Sequence, residues 1–121
     1  MTSRDGEVVE RNAVITSASL SNDDHGVLSC WITLEYGASG VQGFGGYVLW
    51  SPSAPLGEHP DACGRYIWRV MEIAGVHAWA DLKGRPIRVR ADRGKVHAIG
   101  HFLADDWFHP SAVFATKDKT P

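Results

Sequence analysis

The chain has 121 residues, of which 44% are hydrophobic and 21% are charged, a composition typical of one globular domain. Its net charge of −2 lacks the basic excess of a general nucleic-acid binder, so we do not expect a nucleic-acid polymer as partner. No apolar run approaches the ~20 residues that span a bilayer, and the polar N-terminal stretch is unlike a signal peptide. We therefore expect no membrane partner and a cytoplasmic location.

The first half of the chain predicts three strands. Residues 8–20 alternate loosely and are followed by a turn over 21–26, which is rich in Asn, Asp and Gly. Residues 27–36 alternate most clearly, and residues 43–50 predict a third strand that glycine weakens. The loose alternation of the first strand puts Val14, Thr16, Ala18 and Leu20 on one face. The corresponding face in the second strand holds Leu28, Cys30, Ile32, Leu34 and Tyr36.

The second half predicts a helix and a hairpin. The helix runs over 61–74, with Asp61 as its N-cap and Gly75 at its end. Residues 77–82 suggest a short helical turn, and strands at 86–91 and 95–103 flank a turn. The aromatic segment 105–115 is expected to pack back on the body. The fold class is therefore α+β, an antiparallel sheet of about five strands with one main helix packed on it. We expect one domain over 8–115 and flexible termini at 1–7 and 116–121.

The hairpin concentrates positive charge on one face. If Arg93 and Gly94 form its turn, Arg90 faces His97 and Arg88 faces Ile99. The other face then carries Ile87, Val89, Ala91, Val96, Ala98 and Phe102. The basic face carries Arg88, Arg90, Lys95, His97 and His101. A bound phosphate would offset the repulsion between these side chains, because the arginine fork matches phosphate oxygens. The alternatives are a solvated face or pairing with acidic side chains.

Two further patterns are candidate ligand contacts. The glycine-rich stretch around Phe44 and Tyr47 would let backbone N–H groups approach a ligand, or else it is a bulged strand that permits close packing. On the helix, Arg65 and Arg69 are neighbours beside Trp68, either as a binding surface or as a solvated flank.

The sequence gives little support to metal binding or catalysis. His97 and His101 share a strand face but lie ~13 Å apart along it, too far for one metal ion. Cys30 is interpreted as a small core residue, and its pairing with Cys63 stays open. No recognised catalytic motif occurs, so we expect no catalytic residue, no cofactor and no enzyme activity. A hydrolase that uses one of these histidines with Asp105 or Asp106 remains an alternative.

Several short segments follow one another along the chain: Asn12-Ala13-Val14-Ile15, Asp24-His25-Gly26, Gly43-Phe44-Gly45-Gly46-Tyr47, Ile87-Arg88-Val89-Arg90, Ile99-Gly100-His101 and Asp106-Trp107-Phe108 with Pro110. In this order they resemble a family of small bacteriophage proteins, the phage anti-Thoeris sponge proteins. Proteins of that family bind cyclic ADP-ribose-type immune signals without cleaving them, and some relatives hold cyclic oligonucleotides. The resemblance implies a homo-oligomer, a dimer or a hexamer, in the cytoplasm of an infected bacterial host.

The resemblance would assign basic side chains to the phosphates of the signal and aromatic rings to its bases. The expected ligand-binding residues are Phe44, Tyr47, Arg65, Trp68, Arg69, Arg88, Arg90, Lys95, His97 and Trp107. Three other functions stay open. They are an inhibitor that binds a host protein through Trp50, Trp107 and Phe108, a phage assembly accessory protein, and an enzyme that cleaves a nucleotide signal.

Overall fold

An antiparallel sheet with one main helix packed on it forms the part of the chain that the computed structural model describes, residues 7–24, 26–51 and 62–111. The strands are β1 (Val9–Asp24), β2 (Val27–Glu35), β3 (Val41–Gly45), β4 (Pro86–Ala91), β5 (Val96–Gly100) and β6 (Trp107–Phe108), and the helix is α1 (Ala62–Ala74). The 3-10 turns Gly37–Ser39 and Trp79–Asp81 connect them, the second within the predicted helical turn. The six strands lie in the order β3-β2-β1-β4-β5-β6. This confirms the predicted α+β class, with β6 as an added short strand.

Parts of the prediction lie outside the described residues. The predicted N-cap Asp61 and the turn residue His25 are among these, as are the two termini apart from Glu7.

The long strand β1 pairs with two strands. The alternation of its inward and outward side chains is shifted by one residue between the two pairings. Its first half pairs with β4, and its second half pairs with β2. Thr16 is an extra residue between the Ile15–Leu34 and Ser17–Thr33 pairs, so this bulge reverses which side chains point inward. Ala13 and Ile15 are therefore buried. The single face predicted for Val14, Thr16, Ala18 and Leu20 was wrong, because periodicity alone does not reveal a bulge. Val14 and Leu20 are both exposed.

The ends of β1 and β3 also differ from the prediction. β1 continues to Asp24, where it pairs with Val27, so only the tip around Gly26 remains as a turn. β3 spans Val41–Gly45 instead of 43–50, because Gly45 and Gly46 adopt φ values of 132° and 78° and leave the strand geometry. In β2, Cys30, Ile32 and Leu34 are buried as predicted.

The glycines of β3 accommodate an indole ring. A Cβ atom at Gly43 would lie 3.2 Å from the Trp31 ring, and one at Gly46 would lie 2.4 Å from it. The tryptophan side chain therefore lies directly on the glycine backbone of the adjacent strand. Of the two interpretations of this stretch, the structure supports close packing.

A second bulge changes the register of the β4–β5 hairpin. Arg90 pairs with Ala98 and Arg88 with Gly100, so the predicted pairings with His97 and Ile99 were wrong. His97 is the extra residue, and it moves Ile99 into the core opposite Val89. Ala98 consequently shares the outer face with the arginines. The predicted core residue Phe102 lies beyond the strand and is 37% exposed.

Helix α1 packs its apolar stripe on the inner face of the sheet. Its buried residues are Ala62, Tyr66, Val70, Ile73 and Ala74. The helix ends as expected at Gly75, where φ is 73° and the N–H groups of Gly75 and Val76 donate to the carbonyl oxygens of Glu72 and Met71. The ring of Tyr66 lies 6.2 Å from that of Phe44 and 5.5 Å from that of Phe108.

Cys30 is a core thiol, as predicted from its position in the strand. It is buried, and burial raises the pKa of its thiol to about 11, although the nearby Tyr66 hydroxyl lowers it slightly. Neither Cys30 nor Cys63 forms a disulfide.

The sheet curls until its edge strand β3 meets the turn between β4 and β5. The Gln42 side-chain amide of β3 donates to the carbonyl oxygens of Asp92 at 3.0 Å and Arg93 at 3.3 Å. Strands β2 and β1 lie between β3 and β4 in the sheet order, so these bonds require the sheet to bend back toward itself. The inner face thereby becomes a concave core, with an open mouth near Gln42.

Gly100 should be intolerant of any side chain. A Cβ atom there would lie 2.6 Å from the Trp107 ring, which pairs directly opposite on β6. We expect Gly100→Ala to lower the free energy of unfolding by about 1–3 kcal/mol through overpacking, as measured by denaturant unfolding. The matched control is Gly64→Ala in α1, where a Cβ atom meets nothing within 4 Å. That change should be neutral or stabilise by up to about 1 kcal/mol. Equal effects of the two substitutions would contradict the packing argument.

Candidate functional site

A groove between α1 and β6 collects several of the predicted ligand-binding residues. Its volume is about 470 Å³, within the range of small-molecule sites. The lining residues are Gly64, Arg65, Trp68, Arg69, Trp107, Phe108 and His109. The helix supplies one wall and the edge strand the other, so residues about 40 positions apart in the chain meet here.

Trp68 and Arg65 form the accessible wall of the groove. They are three positions apart on α1 and so lie on the same helix face, away from the buried stripe. Trp68 is 68% exposed, whereas a tryptophan in a folded protein is usually mostly covered. An exposed indole beside a guanidinium offers a stacking surface for a planar ring and a donor fork for an anion.

The side chain of Arg69 stabilises the opposite wall of the groove. Its guanidinium donates to the Asp106 carboxylate at 2.8 Å and to the Trp107 carbonyl oxygen at 3.0 Å, and it also pairs with Glu72. These contacts, chiefly the Asp106 hydrogen bond, raise the pKa of Arg69 and lower the pKa of Asp106. Arg69 therefore holds β6 against the helix and positions the groove.

Trp107 is covered on the outer face of the sheet by the two hairpin arginines. The guanidinium carbon of Arg90 lies 3.8 Å from the centroid of the ring, and that of Arg88 lies 5.0 Å from it. Glu10 on β1 pairs with Arg90 at 3.4 Å and with Arg88 at 3.7 Å. One carboxylate and one indole ring thus offset the repulsion that we expected a ligand to offset.

Arg88 also fixes the loop between β5 and β6. Its Nε and Nη2 atoms donate to the carbonyl oxygens of His101 at 2.9 Å and Ala104 at 2.7 Å. The His101 Nδ1 atom accepts hydrogen bonds from the backbone N–H groups of Leu103 and Ala104. Arg88 therefore belongs to the scaffold that holds the loop before β6 and the Trp107 ring.

The remaining predicted ligand-binding residues do not line the groove. Phe44 is buried, and Tyr47 packs against it at the edge of the core, with ring centroids 6.5 Å apart. Lys95 and His97 lie at the β4–β5 turn, where His97 Nε2 is 2.8 Å from the Asp92 carboxylate. The other Asp92 oxygen accepts the N–H groups of Gly94 and Lys95. This hydrogen bonding, led by His97, lowers the pKa of Asp92.

A second pocket, of about 490 Å³, lies at the mouth of the curled sheet and was not predicted from the sequence. Arg11, Tyr36, Gln42 and Arg93 contribute to its lining. The available signal was Arg11 itself, a charged residue on the same strand face as the inward-facing Val9 and Ala13. Without knowledge of the bulge at Thr16, that strand face could not be identified as the inner one.

Two absences concern metal sites and membrane spans in the described residues. No group of three or more His, Cys, Asp or Glu side chains among them is close enough to hold a metal ion. In the same part of the chain, no helix is long and apolar enough to cross a membrane.

The Arg69–Asp106 ion pair should make the stability of the folded protein depend on pH. Because the folded pKa of Asp106 is lowered from the ordinary 3.8, its stabilising contribution is present above that value and is lost as the pH falls through the lowered pKa. We expect Asp106→Asn to reduce the thermal midpoint by a few degrees above about pH 5, since the pair is partly exposed, and the difference from the unmodified protein should shrink in stronger acid. The control is Asp105→Asn, since no described residue forms an ion pair with Asp105. A pH-independent difference for Asp106→Asn would exclude this role.

Comparison of the chain with protein-family models, curated proteins and solved structures gave no match. The geometry of the groove and of the mouth is therefore the basis for assigning a function.

Proposed function

We propose that this protein binds a cyclic nucleotide signal in the groove between α1 and β6 and sequesters it without cleavage. The observation that carries the proposal is the exposed Trp68 ring beside Arg65 on one wall of a groove of ligand size. A base would stack on the indole and a phosphate would pair with the guanidinium. The signal would be a cyclic ADP-ribose isomer or a cyclic oligonucleotide, and the protein a phage counter-defence protein in the cytoplasm of the infected host.

The chemistry of the groove supports binding over catalysis. Its described lining offers aromatic surface, two arginines and one imidazole, and none of these lining side chains is a carboxylate, a hydroxyl or a thiol. Arg69 and the scaffold around Trp107 are held by hydrogen bonds and ion pairs before any ligand arrives. A preorganised wall reduces the entropy that binding must overcome, which favours tight capture.

The groove of one chain is open to solvent, which fits a ligand shared between protomers. We therefore include a homo-oligomer, a dimer or a hexamer, in the proposal. Light scattering coupled to size-exclusion chromatography, with and without ligand, would measure the number of chains.

Calorimetric titration with cyclic ADP-ribose isomers and cyclic di- and trinucleotides tests the proposal. We expect one ligand class to bind and to be recovered chemically intact by chromatography after heating. Trp68→Ala should weaken that binding about tenfold or more, because stacking of a base on an aromatic ring contributes ~1–3 kcal/mol. The matched control is Trp50→Ala, which removes an indole that is 46% exposed and lies outside the groove.

The other outcomes of the titration would indicate a different function. Recovery of a cleaved ligand would assign the protein to the enzymes. Absence of binding by every member of the panel would refute the nucleotide proposal and favour a protein partner. Such a partner could not use the predicted patch of Trp50, Trp107 and Phe108, because Phe108 is buried and Arg90 covers Trp107. The exposed indoles of Trp31 and Trp50 would then be the first positions to substitute.

A further inference from the structure

Arg11 occupies a core-facing position of β1. Its strand neighbours Val9 and Ala13 pair with Ala91 and Ile87, and Arg11 itself pairs with the buried Val89. Because paired residues in a sheet share a face, the Arg11 side chain lies on the concave side. A cation at a position that the strand pattern reserves for an apolar side chain weakens the core and usually marks a function.

The guanidinium of Arg11 has one strong contact in the described part of the chain. Its central carbon lies 3.9 Å from the centroid of the Tyr36 ring, and no described carboxylate is within ion-pair distance of it. The side chain is half-buried, so part of its hydration is lost without a counter-charge in return. Stacking leaves the in-plane N–H donors of the guanidinium as the groups that require an acceptor.

A chain of hydrogen bonds holds the ring on which Arg11 stacks. The Tyr36 hydroxyl donates to the Gln42 side-chain oxygen, and the Gln42 amide nitrogen donates to the carbonyl oxygens of Asp92 and Arg93. Burial raises the pKa of Tyr36 more than the Arg11 charge lowers it, so the hydroxyl stays protonated as a donor. The bonds that close the curled sheet therefore also fix the orientation of the Arg11 fork.

Two carboxylates and a second cation also line the mouth. The Asp92 carboxylate accepts hydrogen bonds from the Gly94 and Lys95 backbone and lies against His97. Glu7 is exposed, and Arg93 is the second cation of the lining. The mouth thus combines a stacked arginine with a cavity of about 490 Å³.

We propose that the mouth of the curled sheet is a second binding site, which takes the carboxylate or phosphate group of a small molecule on Arg11. An oxyanion would receive two parallel hydrogen bonds from the guanidinium fork and would supply the missing counter-charge. This site is separate from the groove beside α1, and it does not depend on the function proposed there.

Titration of the whole protein with inorganic phosphate and, separately, with acetate tests the site, at constant ionic strength. Nuclear magnetic resonance would follow the Arg11 Nε–H and the Gln42 side-chain amide signals. We expect saturable shifts at both positions with at least one of the two anions, and the anion that binds more tightly identifies the ligand class. Arg11→Met should weaken binding at least tenfold. Arg11→Lys should bind less well than the unmodified protein, because a lysine keeps the charge and loses the fork.

The thermal midpoint separates this role from a structural one. A binding residue at a core position should be dispensable for folding, so Arg11→Met should leave the midpoint unchanged or raise it. The control is Lys95→Gln, which removes one exposed charge near the mouth without removing a lining residue and should leave anion binding intact. The Trp68→Ala variant should also bind the anion normally, so failure of one site does not imply failure of the other. The proposal is refuted if neither anion gives saturable shifts, or if Arg11→Met binds as well as the unmodified protein.

Discussion

The phase change in β1 is the constraint on which the rest of the architecture depends. One strand must present Ala13 and Ile15 to the core before the bulge and then Ala18 to the same core after it. A regular strand with this spacing would turn one of these sets toward solvent. The extra residue Thr16 resolves the conflict and increases the local twist, which helps the sheet to bend until Gln42 reaches the turn after β4. The concave core, the surface on which α1 packs and the mouth all follow from that curvature.

The elements that sequence reasoning identified were those whose periodicity is uninterrupted. The alternation of β2 and β4 and the apolar stripe of α1 each extend over several residues, so their buried faces could be predicted one by one. The bulges at Thr16 and His97 could not, because each inserts a single residue whose effect becomes visible only when the partner strand is known. Arg11 was overlooked for the same reason, since its inward orientation depends on the phase of β1 before Thr16.

The candidate groove shows a similar division. Proximity in sequence indicated that Arg65, Trp68 and Arg69 share a helix face, and the structure places Trp107 beside them. The sequence could not indicate that Glu10, 80 residues before Arg90, would neutralise the hairpin arginines, because that contact depends on the pairing of β1 with β4. Positive charge on a strand is therefore ambiguous between ligand binding and packing until the carboxylates of adjacent strands are known.

The contact between an indole ring and the glycine opposite it has a consequence for how this protein can change over evolution. A Cβ atom at Gly46 would lie 2.4 Å from the Trp31 ring, and one at Gly100 would lie 2.6 Å from the Trp107 ring, so neither ring leaves room for a methyl group. Mutation of either glycine first would displace a ring, and loss of either ring first would leave bare backbone exposed on the sheet. Each tryptophan and its glycine should therefore be inherited as a linked pair, and drift at one position should be permissible only after compensation at the other.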